Sequence, residues 1–418
     1  MPGGLRPVHV HRVVGSVTYR PVTTWAAAAE RLDDGGLREL TVRNIVRTTV
    51  GGSGLRVRLT NAFGNRPVTF GHVRVGVPLA GAALAPGSNR RLTFGGSPEV
   101  TVAPGATALS DPLPVRVRPR HRLAISLYVR GKPGTLTGRN RATAPAYPPP
   151  GSSLERPPCA DREPATAPAY RSVPGDHAAD EGSGAFTEEV AVWHWMDALT
   201  VTAPAPVSAV AVLGDSIATG VGSETGHGWV DLLADVLGGS AVVNEGVSGG
   251  RVLAAGTGRP AEARLTAEVL TKPGIATVIL LAGLNDLGAG ARAHDLIAAY
   301  ARIAATARAA GVRVIGGTLT PYAGAEYHTE QGERARQEVN AHIRSEGAFD
   351  GVADFDAALR DPADPARLLP RYDCGDHLHP STAGHQALAA EAEAPLNTRP
   401  DDPEVARSPS APWGHNSV

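Results

Sequence analysis

Apolar residues follow two different spacings along this chain. Between about residues 40 and 130 they alternate with polar ones in short runs, such as Leu55-Arg56-Val57-Arg58-Leu59 and Val115-Arg116-Val117-Arg118. Val68-Thr69-Phe70, His72–Val75, Leu92–Phe94, Val100–Val102 and Ala124–Val129 repeat the pattern. A period of two predicts half-buried strands, and Gly51-Gly52-Ser53-Gly54 and Ala103-Pro104-Gly105 predict the turns between them. Many short strands with little helix predict an all-β, jelly-roll-like sandwich. A Pro-rich stretch over about 145–188, including Pro148-Pro149-Pro150-Gly151, predicts a long loop within it. Val190–Val201, with Trp193 and Trp195 two apart, predicts a strand that closes the sandwich. The first domain is expected over 1–203, ending near Ala203-Pro204-Ala205-Pro206.

From residue 208 the spacing changes. Apolar runs predict strands at Ser208–Leu213, Ala241–Asn244, Thr277–Ala282, Val312–Thr318 and Gly351–Phe355. Between and after them, amphipathic patterns predict helices at Trp229–Leu237, Ala261–Leu270, Ala291–Ala310, Gly332–Ser345 and Ser381–Glu393. Such repetition predicts a parallel sheet covered on both faces, a flavodoxin-like three-layer α/β/α domain over 208–395. Ligands of such sheets bind at the carboxyl ends of the strands. The polar, Pro-rich segment 396–418 is expected to be a disordered tail.

Composition sharpens this picture in few places. The 418 residues are 42% hydrophobic and 19% charged, as in an ordinary soluble protein, and no run of about 20 apolar residues predicts a membrane span. The net charge of −1 conceals an asymmetry. Residues 1–145 carry 20 Arg and one Lys against six carboxylates, a balance of +15, and the remainder balances at −16. Either the two domains pack against each other, or the basic domain meets an anionic surface or polymer. Nucleic acid is not the expected partner, because the arginines alternate along strand-like runs and no nucleic-acid-binding motif accompanies them. Two cysteines, Cys159 and Cys374, exclude a disulfide-rich scaffold; a bridge between them would brace the loop around Asp376. Met1–Ser16 has no apolar core of a signal peptide. A cytoplasmic location is expected, or a secreted one should an export signal be missing from this sequence.

The candidate chemistry lies at the predicted strand ends. Gly214-Asp215-Ser216 follows the first strand, where a nucleophile would sit at the mouth of the sheet. Val247-Ser248-Gly249-Gly250 follows the second, with small residues that let backbone amides approach a ligand. Gly283-Leu284-Asn285-Asp286 follows the third, and the Asn285 amide can donate to an oxyanion. Asp376-His377-Leu378-His379-Pro380 lies near the C-terminus. At this spacing a carboxylate can hold one ring nitrogen of His379 while the other faces a serine. His377 and His379 could alternatively suggest a metal pair, but no further ligand spacing supports one, so no metal and no cofactor are expected. Asp215 reads as structural, Trp229 as core, His227 as a loop residue, and Arg336 with Asn340 as an exposed helix pair. Arg251 would meet an acidic substrate group or pair with Glu245.

Together, in this order, the four blocks resemble those of the SGNH hydrolases, the GDSL esterase/lipase family. That resemblance implies Ser216 as nucleophile, Asp376 and His379 as its triad partners, and an oxyanion hole from the Ser216 amide, Gly249 and Asn285. Thr41-Val42-Arg43-Asn44, Leu55 to Gly64 and Asp176-His177 are similar to the β-sandwich of a two-domain actinobacterial subgroup of that family. The implied activity is a serine esterase releasing short, acetyl-like acyl groups from a carbohydrate or other small polar ester. Its rivals are an acyltransferase or tailoring hydrolase, a lipase or lysophospholipase-like enzyme, and a carbohydrate-binding protein with an inert hydrolase domain. No sequence feature fixes an oligomeric state.

Overall fold

A computed structural model describes residues 17–33, 36–140, 169–223, 227–256 and 258–397. The N-terminal part is built of antiparallel sheets. One runs Tyr19–Ala26, Met196–Pro204, Gly52–Thr60 and Thr107–Leu109, with Leu113–Val117 also on Gly52–Thr60. The other runs Phe186–Val190, Ala169–Pro174, Leu40–Arg47, Arg122–Arg130, Val68–Gly76 and Arg90–Arg91. The alternation explains the stacking: Leu55, Val57 and Leu59 from the first sheet and Phe70, Val73, Ile125 and Leu127 from the second share one core.

Three expectations need correction here. The loop expected over about 145–188 contains the strand Ala169–Pro174, which pairs with both Leu40–Arg47 and Phe186–Val190; residues 141–168 lie outside the described residues. Leu92–Phe94 is not a strand: the ladder ends at Arg91, and Phe94 and Ser97 close a tight turn. The closing strand is two strands. Trp195 takes a left-handed φ of 52°, which turns the chain from Val192–His194, in a small third sheet, into Met196–Pro204. Burying the Trp195 ring edge-on to Phe70, centroids 5.7 Å apart, offsets that strain.

In the second part, five parallel strands lie in the order Ala241–Gly246, Ala209–Gly214, Ile275–Leu281, Arg313–Gly317, Gly351–Ala353. Numbered along the chain this is 2-1-3-4-5, the flavodoxin-like arrangement. Every residue of Ala209–Gly214 is buried, as its uninterrupted apolar run requires for a strand covered on both faces. Trp229, fully buried on the helix Trp229–Val236, belongs to this core. The helix expected at Ala261–Leu270 is α-helical only through Arg264 and continues as a π turn, Leu265–Val269. The last helix extends to Asn397; otherwise the expected tail lies outside the described residues, as does Cys159.

The two parts share a packed boundary. Tyr19–Ala26 lies beside the edge strand Ala241–Gly246, and Ala27 forms a parallel bridge with Asn244. Thr23 donates its amide to Pro273 O at 2.9 Å, and Ala29 to Glu268 Oε2 at 3.2 Å. A Cβ at Gly274 would come within 2.9 Å of Val22 Cα. Arg47 and Arg120 both pair with Asp235, so part of the charge asymmetry is met across this boundary.

Candidate active site

The strand order reverses between Ala209–Gly214 and its neighbours, which opens a crevice at their carboxyl ends. Ser216, Gly249 and Asn285 follow the first, second and third strands at that end, and the segment Asp373–Pro380 closes over them. Asp215 caps the short helix Ser216–Thr219 by accepting the Ile217 amide at 3.0 Å, which fixes the turn that presents Ser216.

Ser216 Oγ lies 2.8 Å from His379 Nε2, and His379 Nδ1 lies 2.6 Å from Asp376 Oδ2. Asp376 Oδ1 accepts the amides of Leu378 and His379 at 2.9 and 2.8 Å, so the carboxylate is fixed before it meets the ring. A carboxylate at Nδ1 places the ring proton there and leaves Nε2 to accept from the serine hydroxyl. Burial raises the Asp376 carboxyl, but its hydrogen bonds with His379 and the charge of that ring overcome this and hold it well below the usual carboxylate range. His377 diverges from His379 and pairs with Asp373 at 2.6 Å, from a left-handed φ of 63°. Donor atoms of Asp373, Cys374 and Asp376 lie within 4.8 Å of one another, but the two carboxylates are already engaged by the two histidines.

The loops that carry Gly249 and Asn285 are held by a lattice of hydrogen bonds. Asn285 donates from Nδ2 to Gly250 O at 3.0 Å, using one of its two amide hydrogens. Its neighbour Asp286 accepts the Val252 and Leu253 amides at 2.8 and 2.9 Å. Thr219 and Ser248 hydroxyls meet at 3.1 Å, tying the helix Ser216–Thr219 to this loop. Gly249 has a φ of 69°, a conformation in which any side chain would strain the turn.

A model of the GDSL-like Lipase/Acylhydrolase family matches residues 212–387. This segment is a GDSL-like lipase/acylhydrolase domain, and it makes the chain an ester-hydrolysing enzyme. Solved structures similar to the chain include a member of the lipolytic protein G-D-S-L family from Veillonella parvula, with 18% identity over 45% of this chain and 97% of that one, TM-score 0.35. An acetylxylan esterase from Geobacillus stearothermophilus shares 20% identity over 46% of this chain and 95% of its own, TM-score 0.36. An aryl esterase from M. smegmatis shares 16% identity over 45% and 98%, TM-score 0.38. A search of curated proteins gave no match.

Beneath its reactive turn the GDSL-like domain carries charges that the motifs did not reveal. Arg264 is fully buried and donates to Gly214 O at 2.9 Å and Glu245 O at 2.5 Å, bracing two strand ends at once. Lys272 meets Glu245 at 2.5 Å, both buried, and the π turn directs Glu268 toward Arg259 and the Ala29 amide. Burial pushes the Asp215 carboxyl up to about 6, with the Ile217 amide offsetting part of the effect. Burial also pushes His385 down to about 4; its Nδ1 accepts the Trp229 amide and its Nε2 donates to Val221 O, as a neutral ring can.

The expected exposed pair fails, and so does one of the two readings of Arg251. Arg336 and Asn340 are fully buried: Arg336 pairs with Glu333 and Asp356, and Asn340 clamps both backbone groups of Leu319. Arg251 donates to Ala255 O and does not pair with Glu245, whose partner is Lys272. The advance signal for Arg264 and Asp286 is a charged residue inside a predicted amphipathic helix or just past a strand end, where burial obliges a partner; Lys272, between predicted elements, gave none.

Proposed function

We propose that the chain is a serine esterase that releases short acyl groups from a carbohydrate or other polar ester. His379 Nε2 takes the Ser216 proton as Oγ attacks the ester carbonyl. The tetrahedral oxyanion accepts hydrogen bonds from the Ser216 and Gly249 amides and from Asn285 Nδ2. On collapse, His379 returns the proton to the departing alcohol and an acyl-serine remains. Water, deprotonated by the same ring, then releases the acid. Asp376 holds the ring and stabilises its charged form throughout.

The relay from Asp376 through His379 to Ser216, at 2.6 and 2.8 Å in a nearly dry setting, carries this reading. Polar groups near the triad support a polar alcohol: His377 is exposed, and His377 and Arg367 both crowd the Gly324 backbone. Hydrolysis of p-nitrophenyl acetate, butyrate and octanoate tests it. Wild type should prefer the shortest ester, and Ser216→Ala should lose activity by about 10⁴-fold or more. A mutant that keeps the activity would sink the assignment.

A further inference from the structure

The β-sandwich reaches the catalytic end of the molecule. Tyr19–Ala26 runs parallel to Ala241–Gly246, with Ala27 bridged to Asn244, so the chain leaves that strand at the end of the sheet that carries Ser216, Gly249 and Asn285. It continues into Glu30–Leu32. There the Arg31 guanidinium lies 5.7 Å from the Phe63 ring centroid, and that of Arg259 lies 5.1 Å from the same ring. Arg259 also donates to Ala62 O and belongs to the loop that leads away from Gly249 and Gly250. A stack of side chains thus connects the oxyanion loop to Arg31.

Arg31 in turn lines an open cavity of about 920 Å³ together with Arg38, Arg66, Lys132, Asn65 and Asp33. Four cations face one carboxylate among its described lining residues. All four cations are exposed, and the side chains of Arg38, Arg66 and Lys132 make no hydrogen bond or ion pair among the described residues. Some exposed arginines elsewhere are paired, Arg130 with Glu99, Arg302 with Glu262 and Arg308 with Asp350, whereas the side chains of Arg91, Arg116, Arg118 and Arg122 make no hydrogen bond or ion pair among the described residues. Unpaired like charges around a concavity repel one another and focus a positive potential into it. The loop beneath is fixed, since Asn65 Oδ1 accepts the Thr135 amide at 3.0 Å.

We propose that this cavity is a subsite for an acidic glycan, a carbohydrate chain bearing carboxylates, whose acylated residue is presented to Ser216. The proposal rests on the esterase reading and adds its substrate class. Guanidinium groups match carboxylates in pairs of parallel hydrogen bonds, and Asn65 and backbone groups suit hydroxyls. The volume suits a ligand of a few sugar residues. Among the described lining residues no aromatic ring is present to stack a nucleic-acid base, and none of the large exposed apolar side chains among the described residues borders the cavity to enter a lipid surface.

The test compares O-acetylated polygalacturonate, a neutral O-acetylated mannan and p-nitrophenyl acetate, using the full chain and the triple variant R38E/R66E/K132E. Those three side chains are exposed and make no hydrogen bond or ion pair among the described residues, so the variant should fold. Wild type should show a KM on the acidic polymer about tenfold below that on the neutral one, an advantage that fades at high salt. The variant should lose that advantage without a change in kcat, and should match wild type on the mannan and on p-nitrophenyl acetate. Equal KM on the two polymers, or an unchanged KM in the variant, overturns the subsite. Should wild type fail even on p-nitrophenyl acetate, the esterase reading falls. Calorimetric binding of oligogalacturonate, and its loss in the variant, still decides the subsite in that case. Tighter binding of oligothymidylate than of oligogalacturonate would overturn the glycan in favour of nucleic acid.

Discussion

That Ser216, His379 and Asp376 come together in one hydrogen-bonded set was legible in the sequence, because a serine at a strand end and an Asp and His at a fixed spacing bring the needed functional groups into reach. Their neighbours were not. Asn285 engages Gly250 O with one amide hydrogen, and in the proposed mechanism the second serves the oxyanion. Asn285→Ala should therefore lower kcat by about 10² to 10³ with little change in KM, as measured on p-nitrophenyl acetate. Asp215 differs in kind. Its carboxyl is raised to about 6 in the fold, so it holds its proton more readily there than in the unfolded chain. Its contribution to stability is complete below pH about 4, the ordinary aspartate range, and is lost as pH rises through about 6. Asp215→Asn keeps an acceptor for the Ile217 amide but cannot ionise. Relative to wild type it should gain stability between pH 4 and 7, by an amount on the order of 3 kcal/mol. Urea unfolding at both ends of that window checks this, and a constant difference would show that Asp215 does not titrate there.

Elements were legible in type more than in detail. The regular strand and helix alternation after residue 208 survived because apolar periodicity is a direct record of burial on two faces. Periodicity failed where a polar residue is buried with partners. The helix Glu330–Arg344 places Arg336 and Asn340 against Leu319 and Asp356, and nothing in a polar pair four apart distinguishes that face from the exposed one. Arg336→Met should cost about 1 to 3 kcal/mol in a urea melt, because Leu319 O loses a buried donor and Asp356 one of its arginine partners while it keeps Arg344 and Arg360; a cost below about 0.5 kcal/mol would count against it. Trp195 misled in a different way. Its run reads as one continuous strand, and only a left-handed residue, unusual for a bulky side chain, divides it between two sheets. The π turn at Leu265–Val269 is equally silent in sequence, since it changes hydrogen bonding without changing apolar spacing.

For the whole molecule, two spacings gave two architectures, but the contact between them is written in no single segment. It emerges from Thr23 with Pro273, Ala29 with Glu268, and Ala27 with Asn244, pairs separated by more than 200 residues. One consequence concerns solubility. Ala241–Gly246 is the last strand of the parallel sheet, and Tyr19–Ala26 lies along its outer side. A chain beginning at residue 206 would bare the outer backbone edge of that strand to any other copy in solution. Such a fragment should self-associate at concentrations where the full chain stays monodisperse by light scattering, and charged substitutions that blunt this edge should relieve it. The sandwich would then guard its neighbour against aggregation, a service independent of whatever ester the enzyme cleaves.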